Sequence, residues 1–150
     1  MEFSVKQFDT LSTKELFEIY KLRSEVFVVE QNCAYRDVDE KDLFAYHVMA
    51  FEANTLTGYC RILAPGQSYK EPSIGRVVLH PNFRNKGFGK DLMKYSMNKS
   101  FELFKNQELV ISAQLYLLKF YTELGFKAED KEYLEDNIPH IKMRYSASLK

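Results

Sequence analysis

The chain has 150 residues, 45% hydrophobic and 28% charged, which suits one ordinary globular domain over 1–150 and argues against long disorder. Its 21 Lys plus Arg balance 21 Asp plus Glu, so the basic excess of a sequence-independent nucleic-acid binder is missing and any charge recognition has to be local. No stretch approaches the roughly 18 apolar residues of a membrane span, and Met1-Glu2-Phe3-Ser4-Val5-Lys6 lacks the apolar core of a signal peptide; the expectation is a cytoplasmic protein with no nucleic-acid or membrane partner.

In chain order, Phe3-Ser4-Val5-Lys6 alternates apolar and polar and, continued through Gln7-Phe8, predicts a first strand. Ser12-x-x-Glu15 is a capping-box pattern, after which Leu16, Phe17, Tyr20, Leu22, Val26 and Phe27 recur at helical spacing, predicting a first helix of about four turns. Residues 30–43 have no clean period and read as loop, with Arg36-Asp37-Val38-Asp39-Glu40-Lys41-Asp42 solvated. Residues 46–53 and 58–63 predict a hairpin around Asn54-Thr55. After the Ala64-Pro65-Gly66-Gln67 break, the β-branched run Ile74-Gly75-Arg76-Val77-Val78-Leu79-His80 predicts the central strand, stopped by Pro81. A second helix follows over 89–104, with Leu92, Met93, Met97, Phe101 and Phe104 on one face. Leu109-Val110-Ile111-Ser112-Ala113 predicts a buried strand, and Leu115, Leu118, Tyr121 and Leu124 a third helix closed by Gly125. Strands over 126–133 and 141–145 complete a β-α-β-β-β-α-β-α-β-β order, a mixed α/β domain.

The segment Arg84-Asn85-Lys86-Gly87-Phe88-Gly89-Lys90 lies between the central strand and the second helix. Unpaired N–H groups of the first helical turn and the positive end of the helix dipole favour an anion there, and the glycines let a ligand come close. Arg84, Lys86 and Lys90 are expected to add positive charge. The segment is not a P-loop, since Arg84 stands where a glycine is needed and Asp91 where Ser or Thr should follow Lys90. Nor is it a dinucleotide fingerprint, because Leu92 replaces the third glycine.

Arg84-x-x-Gly87-x-Gly89 in this setting resembles motif A of the GNAT acetyltransferase superfamily, and Phe120-Tyr121-Thr122-Glu123-Leu124-Gly125-Phe126 resembles that family's second landmark. Val26-Phe27-Val28-Val29-Glu30-Gln31-Asn32-Cys33, Ile74-Gly75-Arg76-Val77, Ser112-Ala113-Gln114 and Glu135-Asp136-x-Ile138-Pro139-His140 resemble its ElaA-like branch. The resemblance implies a GNAT fold: one central, mostly antiparallel mixed sheet flanked by helices, with a V-shaped cofactor cleft. It implies acetyl-CoA as donor, with the pyrophosphate on Arg84, Asn85, Lys86, Gly87, Phe88, Gly89 and Lys90. The backbones of Val77, Val78 and Leu79 are the expected partners of the pantetheine arm. Gln114 stands where an asparagine commonly contacts that arm, which departs from the superfamily pattern. Tyr121 is the expected general acid, opposite the rival reading of a core aromatic. Domains of this family often pair through sheet edges, so a homodimer is possible.

An acceptor amine has to lose a proton before it attacks a thioester. Glu30, His47, Glu135, Asp136 and His140 are the candidate bases, with Glu30 and His140 placed foremost, while His80 reads as a loop histidine. Arg76 either reaches solvent or meets Glu135 or Asp136. Cys33 and Cys60 stand in no C-x-x-C or metal-ligand spacing and the three histidines form no H-E-x-x-H, so free thiols, no metal and direct transfer without a covalent enzyme intermediate are expected. The alternative is an acyl-CoA-binding regulatory module without transfer. The acceptor is a small-molecule or peptide amine that the sequence leaves unnamed.

Overall fold

Alternation along the strands decides which side chains meet which helix, and the layers follow from it. The computed structural model describes residues 1–147, with β1 (Glu2–Gln7), α1 (Thr13–Arg23), β2 (Tyr46–Glu52), β3 (Thr55–Leu63), β4 (Ser73–Leu79), α2 (Phe88–Phe104), β5 (Glu108–Gln114), α3 (Leu118–Glu123), β6 (Lys127–Glu135) and β7 (Ile138–Ser146). This is the element order read from the sequence, with small shifts at the ends. Val48 and Ala50 of β2 and Cys60 and Ile62 of β3 share one buried cluster with Leu92, Met93 and Met97 of α2. Their neighbours Met49 and Tyr59 point the other way and join Ile19 and Leu22 of α1. Each fully buried side chain of this size contributes about 1.5–3 kcal/mol.

The capping box predicted at the start of α1 is formed. Ser12 Oγ accepts from the Glu15 N–H at 3.0 Å, and Glu15 Oε1 accepts from the Ser12 N–H at 2.8 Å. Past Arg23 the helix continues in π form over Ser24–Glu30, longer than the four turns expected. The Gln31 N–H accordingly reaches the Val26 carbonyl, five residues back.

The strands form two antiparallel sheets, ordered β1-β2-β3-β4 and β5-β7-β6. They meet where the Val110 N–H donates to the Pro72 carbonyl at 3.0 Å. Beyond that bond β4 pairs with β3 and β5 with β7, so the sheet opens into a V. A bulge in β4 assists the parting. Val78 pairs with Tyr59 and Gly75 with Arg61, which leaves Arg76 and Val77 opposite Cys60 alone. Arg76 takes φ 51° there, a strained value for a side chain of its size.

The segment predicted as a solvated loop at 36–42 is instead an anchor. Arg23 is fully buried, and its guanidinium meets Asp37 Oδ2 at 2.8 Å and Asp42 Oδ1 at 2.7 Å. Arg61 of β3 meets Asp39 at 2.7 Å and Asp42 at 3.0 Å. Arg76 bonds Asp37 at 2.9 Å and lies 3.6 Å from Asp39, so it pairs with neither Glu135 nor Asp136. Three arginines from three elements thus alternate with three aspartates from one segment. Charge on both sides is what makes burial of Asp37 and Asp42 tolerable.

Burial alone would raise the Asp42 carboxyl, but hydrogen bonds and charge from Arg23 and Arg61 overcome it and hold the group below its usual range. Asp39 is lowered in the same way, chiefly by Arg61. Their stabilising contribution is complete above the unfolded carboxylate value of about 3.9 and disappears as pH falls through the lower folded values. Asp42→Asn removes a charge from beside two buried guanidinium groups. It is expected to cost about 3–5 kcal/mol, read as a lower urea midpoint, and to flatten the loss of stability below about pH 4.

Candidate active site

The parting of β4 and β5 creates a cleft of about 1460 Å³. Its lining includes Glu30, Val77, Val78, Leu79, Arg84, Asn85, Gly87, Gly89, Lys90, Gln114, Tyr121 and His140, which lie far apart in the sequence. Lys86 and Phe88 lie outside that lining. Lys86 Nζ sits over the Phe83 ring at 5.7 Å, and the Phe88 ring packs against Phe83 at 6.2 Å.

At the mouth, Gly87 is the N-cap of α2 with φ 82°, and no side chain caps the helix. Among the described residues no acceptor meets the N–H groups of Gly87, Phe88, Gly89 or Lys90. These free donors, with the dipole of a 17-residue helix behind them, suit a phosphate group. Two of the three cations expected beside them are already paired, and Lys86 points away over the Phe83 ring. Arg84 Nη1 and Nη2 donate to Glu30 at 2.6 and 2.8 Å, and Lys90 Nζ meets Glu123 at 3.0 Å. Backbone donors, rather than a free surplus of positive charge, are therefore what the segment offers.

Glu30 ends the π segment that carries the chain to the cleft. Its hydrogen bonds to Arg84 hold its carboxyl below the usual range, making it a weaker base than a free glutamate. Next to it Gln31 and Gln114 face each other amide to amide at 3.4 Å, and the Cys33 thiol donates to the Asp136 carbonyl at 3.3 Å. Residues 30–33 thus touch both arms of the V.

Tyr121 of α3 is 5% exposed and lines the cleft. Its ring packs edge-on against Phe120 and Phe126, and among the described residues its hydroxyl has no hydrogen-bond partner. Burial raises its pKa, so the hydroxyl stays protonated and available as a donor. The same burial pushes the neighbouring Cys60 thiol up to about 12. Cys60 bonds Ser96 at 3.0 Å and lies outside the cleft lining.

The histidines separate clearly. His47 is fully buried, shares a 2.7 Å hydrogen bond with the Tyr59 hydroxyl and donates to the Asp42 carbonyl at 2.8 Å. Burial lowers its pKa, and it stands outside the cleft, so it is not a base for this site. His80 accepts the Asn82 N–H at 3.1 Å in the turn after β4. His140 is 7% exposed and lines the cleft with Glu135 and Asp136.

Tyr35, Tyr69, Ser112 and Phe120 also line the cleft and were not assigned roles from sequence. Tyr69 carries no pattern of its own, and Phe120 enters only as the first residue of the second landmark. Tyr35 is placed by Asp37, to which its hydroxyl donates at 2.8 Å. Among the described residues no cluster of His, Cys, Asp and Glu could hold a metal ion, and no helix is long and apolar enough to cross a membrane.

The acetyltransferase (GNAT) domain profile matches residues 9–147. A UPF0039 protein of Schizosaccharomyces pombe is 44% identical over 146 residues, covering 96% of each chain. The crystal structure of an acyl-CoA N-acyltransferase from Pseudomonas aeruginosa is 39% identical and superposes with a TM-score of 0.91, covering 97% of this chain and 99% of that one. Escherichia coli ElaA, 32% identical, superposes at 0.90 with the same coverage. Gly87→Val would force a β-branched side chain into the left-handed region at the helix start. The strain of about 1–2 kcal/mol is expected to lower the melting temperature by a few degrees, and the displaced helix start to weaken coenzyme A binding by about tenfold, measured by calorimetry.

Proposed function

This chain belongs to the GNAT acetyltransferase family, in its ElaA-like branch, and from that premise we propose that it transfers an acetyl group from acetyl-CoA to a primary amine by direct attack. Membership makes it an acyltransferase using acyl-CoA. The acetyl group, the amine and the residue roles are the proposal. The observation that carries it is the Tyr121 hydroxyl, donor-ready and unpartnered in a cleft whose mouth presents the free N–H groups of residues 87–90.

The edge of β4 that faces β5 is open beyond the Val110–Pro72 bond, and its Val77, Val78 and Leu79 backbones offer an extended ligand arm the hydrogen bonds of a missing strand. Gln114 can turn its amide from Gln31 to the same arm, since the 3.4 Å contact between them is long. His140 takes the proton of the acceptor amine, because Glu30 is held by Arg84. The nitrogen then attacks the thioester carbonyl, the carbon–sulfur bond breaks, and the departing sulfur takes the proton of Tyr121. The nitrogen of the new amide still carries one proton too many, which passes through water to the Tyr121 phenolate, while His140 releases its own proton to solvent and the site is reset. Burial raises phenols and thiols in the same direction, so a raised Tyr121 and a thiolate leaving into the same cleft stay matched.

The test is incubation with acetyl-CoA and a panel of amines while following release of free CoA thiol. Tyr121→Phe is expected to lower kcat by about a hundredfold while leaving acetyl-CoA affinity intact. Binding of acetyl-CoA without thiol release for any amine would instead favour a regulatory acyl-CoA-binding module. Turnover lost in Cys33→Ala would point to an acyl-enzyme and against direct transfer.

A further inference from the structure

Around His140 the β5–β7–β6 wall carries a chain of polar side chains with a definite hydrogen-bond polarity. His140 Nδ1 lies 2.7 Å from the Ile138 carbonyl oxygen. A carbonyl only accepts, so Nδ1 carries the hydrogen and Nε2 of the neutral ring has a bare lone pair. That Nε2 faces Glu135 Oε2 at 3.5 Å. Two acceptors facing each other do not bond while the ring is neutral. Once Nε2 takes a proton, the same pair becomes an ion pair.

Glu135 is itself held. Its Oε1 accepts from Ser112 Oγ at 3.3 Å, and Ser112 Oγ is bonded in turn to the Tyr133 hydroxyl. The Tyr133 ring stacks on the imidazole at 6.2 Å with 24° between planes, directly across the strand pair from His140. Tyr69 joins the same group, and burial is the main reason its hydroxyl is pushed up to about 12. We propose that Glu135, aligned by Ser112 and Tyr133, is a positioning residue that holds the His140 ring beside the cleft and stabilises the imidazolium formed when Nε2 takes the proton of the acceptor amine. This deepens the transfer reading above and rests on it for the identity of the proton donor.

The other histidines supply internal references. His47 donates from Nε2 to the Asp42 carbonyl, and His80 Nδ1 accepts the Asn82 N–H, so both neutral rings carry the hydrogen on Nε2. A long-range ¹H–¹⁵N ring spectrum of histidine-labelled protein at alkaline pH is expected to show three rings, with His140 alone protonated on Nδ1. A His140 ring protonated on Nε2 would overturn the proposal, because that nitrogen would already be filled.

Glu135→Gln is expected to lower kcat by roughly ten- to a hundredfold, short of the whole general-base contribution of about 10²–10⁴. The KM for acetyl-CoA and the melting temperature stay near those of the parent, and Glu135→Asp restores part of kcat. An unchanged kcat in Glu135→Gln contradicts the proposal. A parent protein that binds acetyl-CoA yet acylates no amine removes the transfer reading, and the ring spectrum then decides whether His140 is held as described.

Discussion

The parting of β4 from β5 is the constraint on which the rest of the site depends. Two neighbouring strands that begin joined by a backbone hydrogen bond would ordinarily continue to pair, since open strand edges leave donors and acceptors unsatisfied. Here the bulge at Arg76 and Val77 bends β4 away, while β7 takes the other edge of β5. The gap is one strand wide in its chemistry. An extended ligand that supplies donors and acceptors can fill it, and the free N–H groups of residues 87–90 lie at its end.

Keeping one wall bent while the other stays paired needs a rigid backing. The alternation of Arg23, Arg61 and Arg76 with Asp37, Asp39 and Asp42 supplies it by tying α1, β3 and β4 to one short segment. Hydrophobic replacement of such a cluster often stabilises a protein, and here Arg61 Nε is buried with no partner among the described residues. The network's contribution is therefore best understood as geometry: it fixes Arg76 at its left-handed backbone angle and orders Tyr35 at the cleft. Opposite it, residues 30–33 contact both arms, so the two walls of the cleft are mechanically connected through Glu30–Arg84 and Gln31–Gln114.

Element order and the glycine-opened start of α2 were legible in the sequence because they rest on local signals: Ser12 and Glu15 three apart, β-branched residues before Pro81, and Gly87 at a helix start. What was not legible depends on distant residues meeting. The charged run 36–42 reads as solvated loop in isolation and becomes a buried anchor only because Arg23, Arg61 and Arg76 converge on it from three elements. For the same reason the sequence leaves Arg76 between solvent and a carboxylate such as Glu135 or Asp136, and does not point to Asp37. Arg84 and Lys90 looked like free cations, since nothing local reveals that Glu30 and Glu123 fold beside them. His47 and His140 are indistinguishable as letters; the Asp42 carbonyl and the cleft separate them. The orientation of the His140 ring, fixed by a carbonyl two residues away, is a property of the β6–β7 turn and has no sequence signature.

The central claim is that an acyl-CoA occupies the gap between the two sheets with its backbone contacts on β4 and its phosphates on the start of α2. Amide hydrogen exchange with and without acetyl-CoA tests this directly. The account predicts slowed exchange concentrated at residues 77–79 and 87–90, with β1 and β2 unaffected. Unchanged exchange at both segments under saturating acetyl-CoA would contradict it.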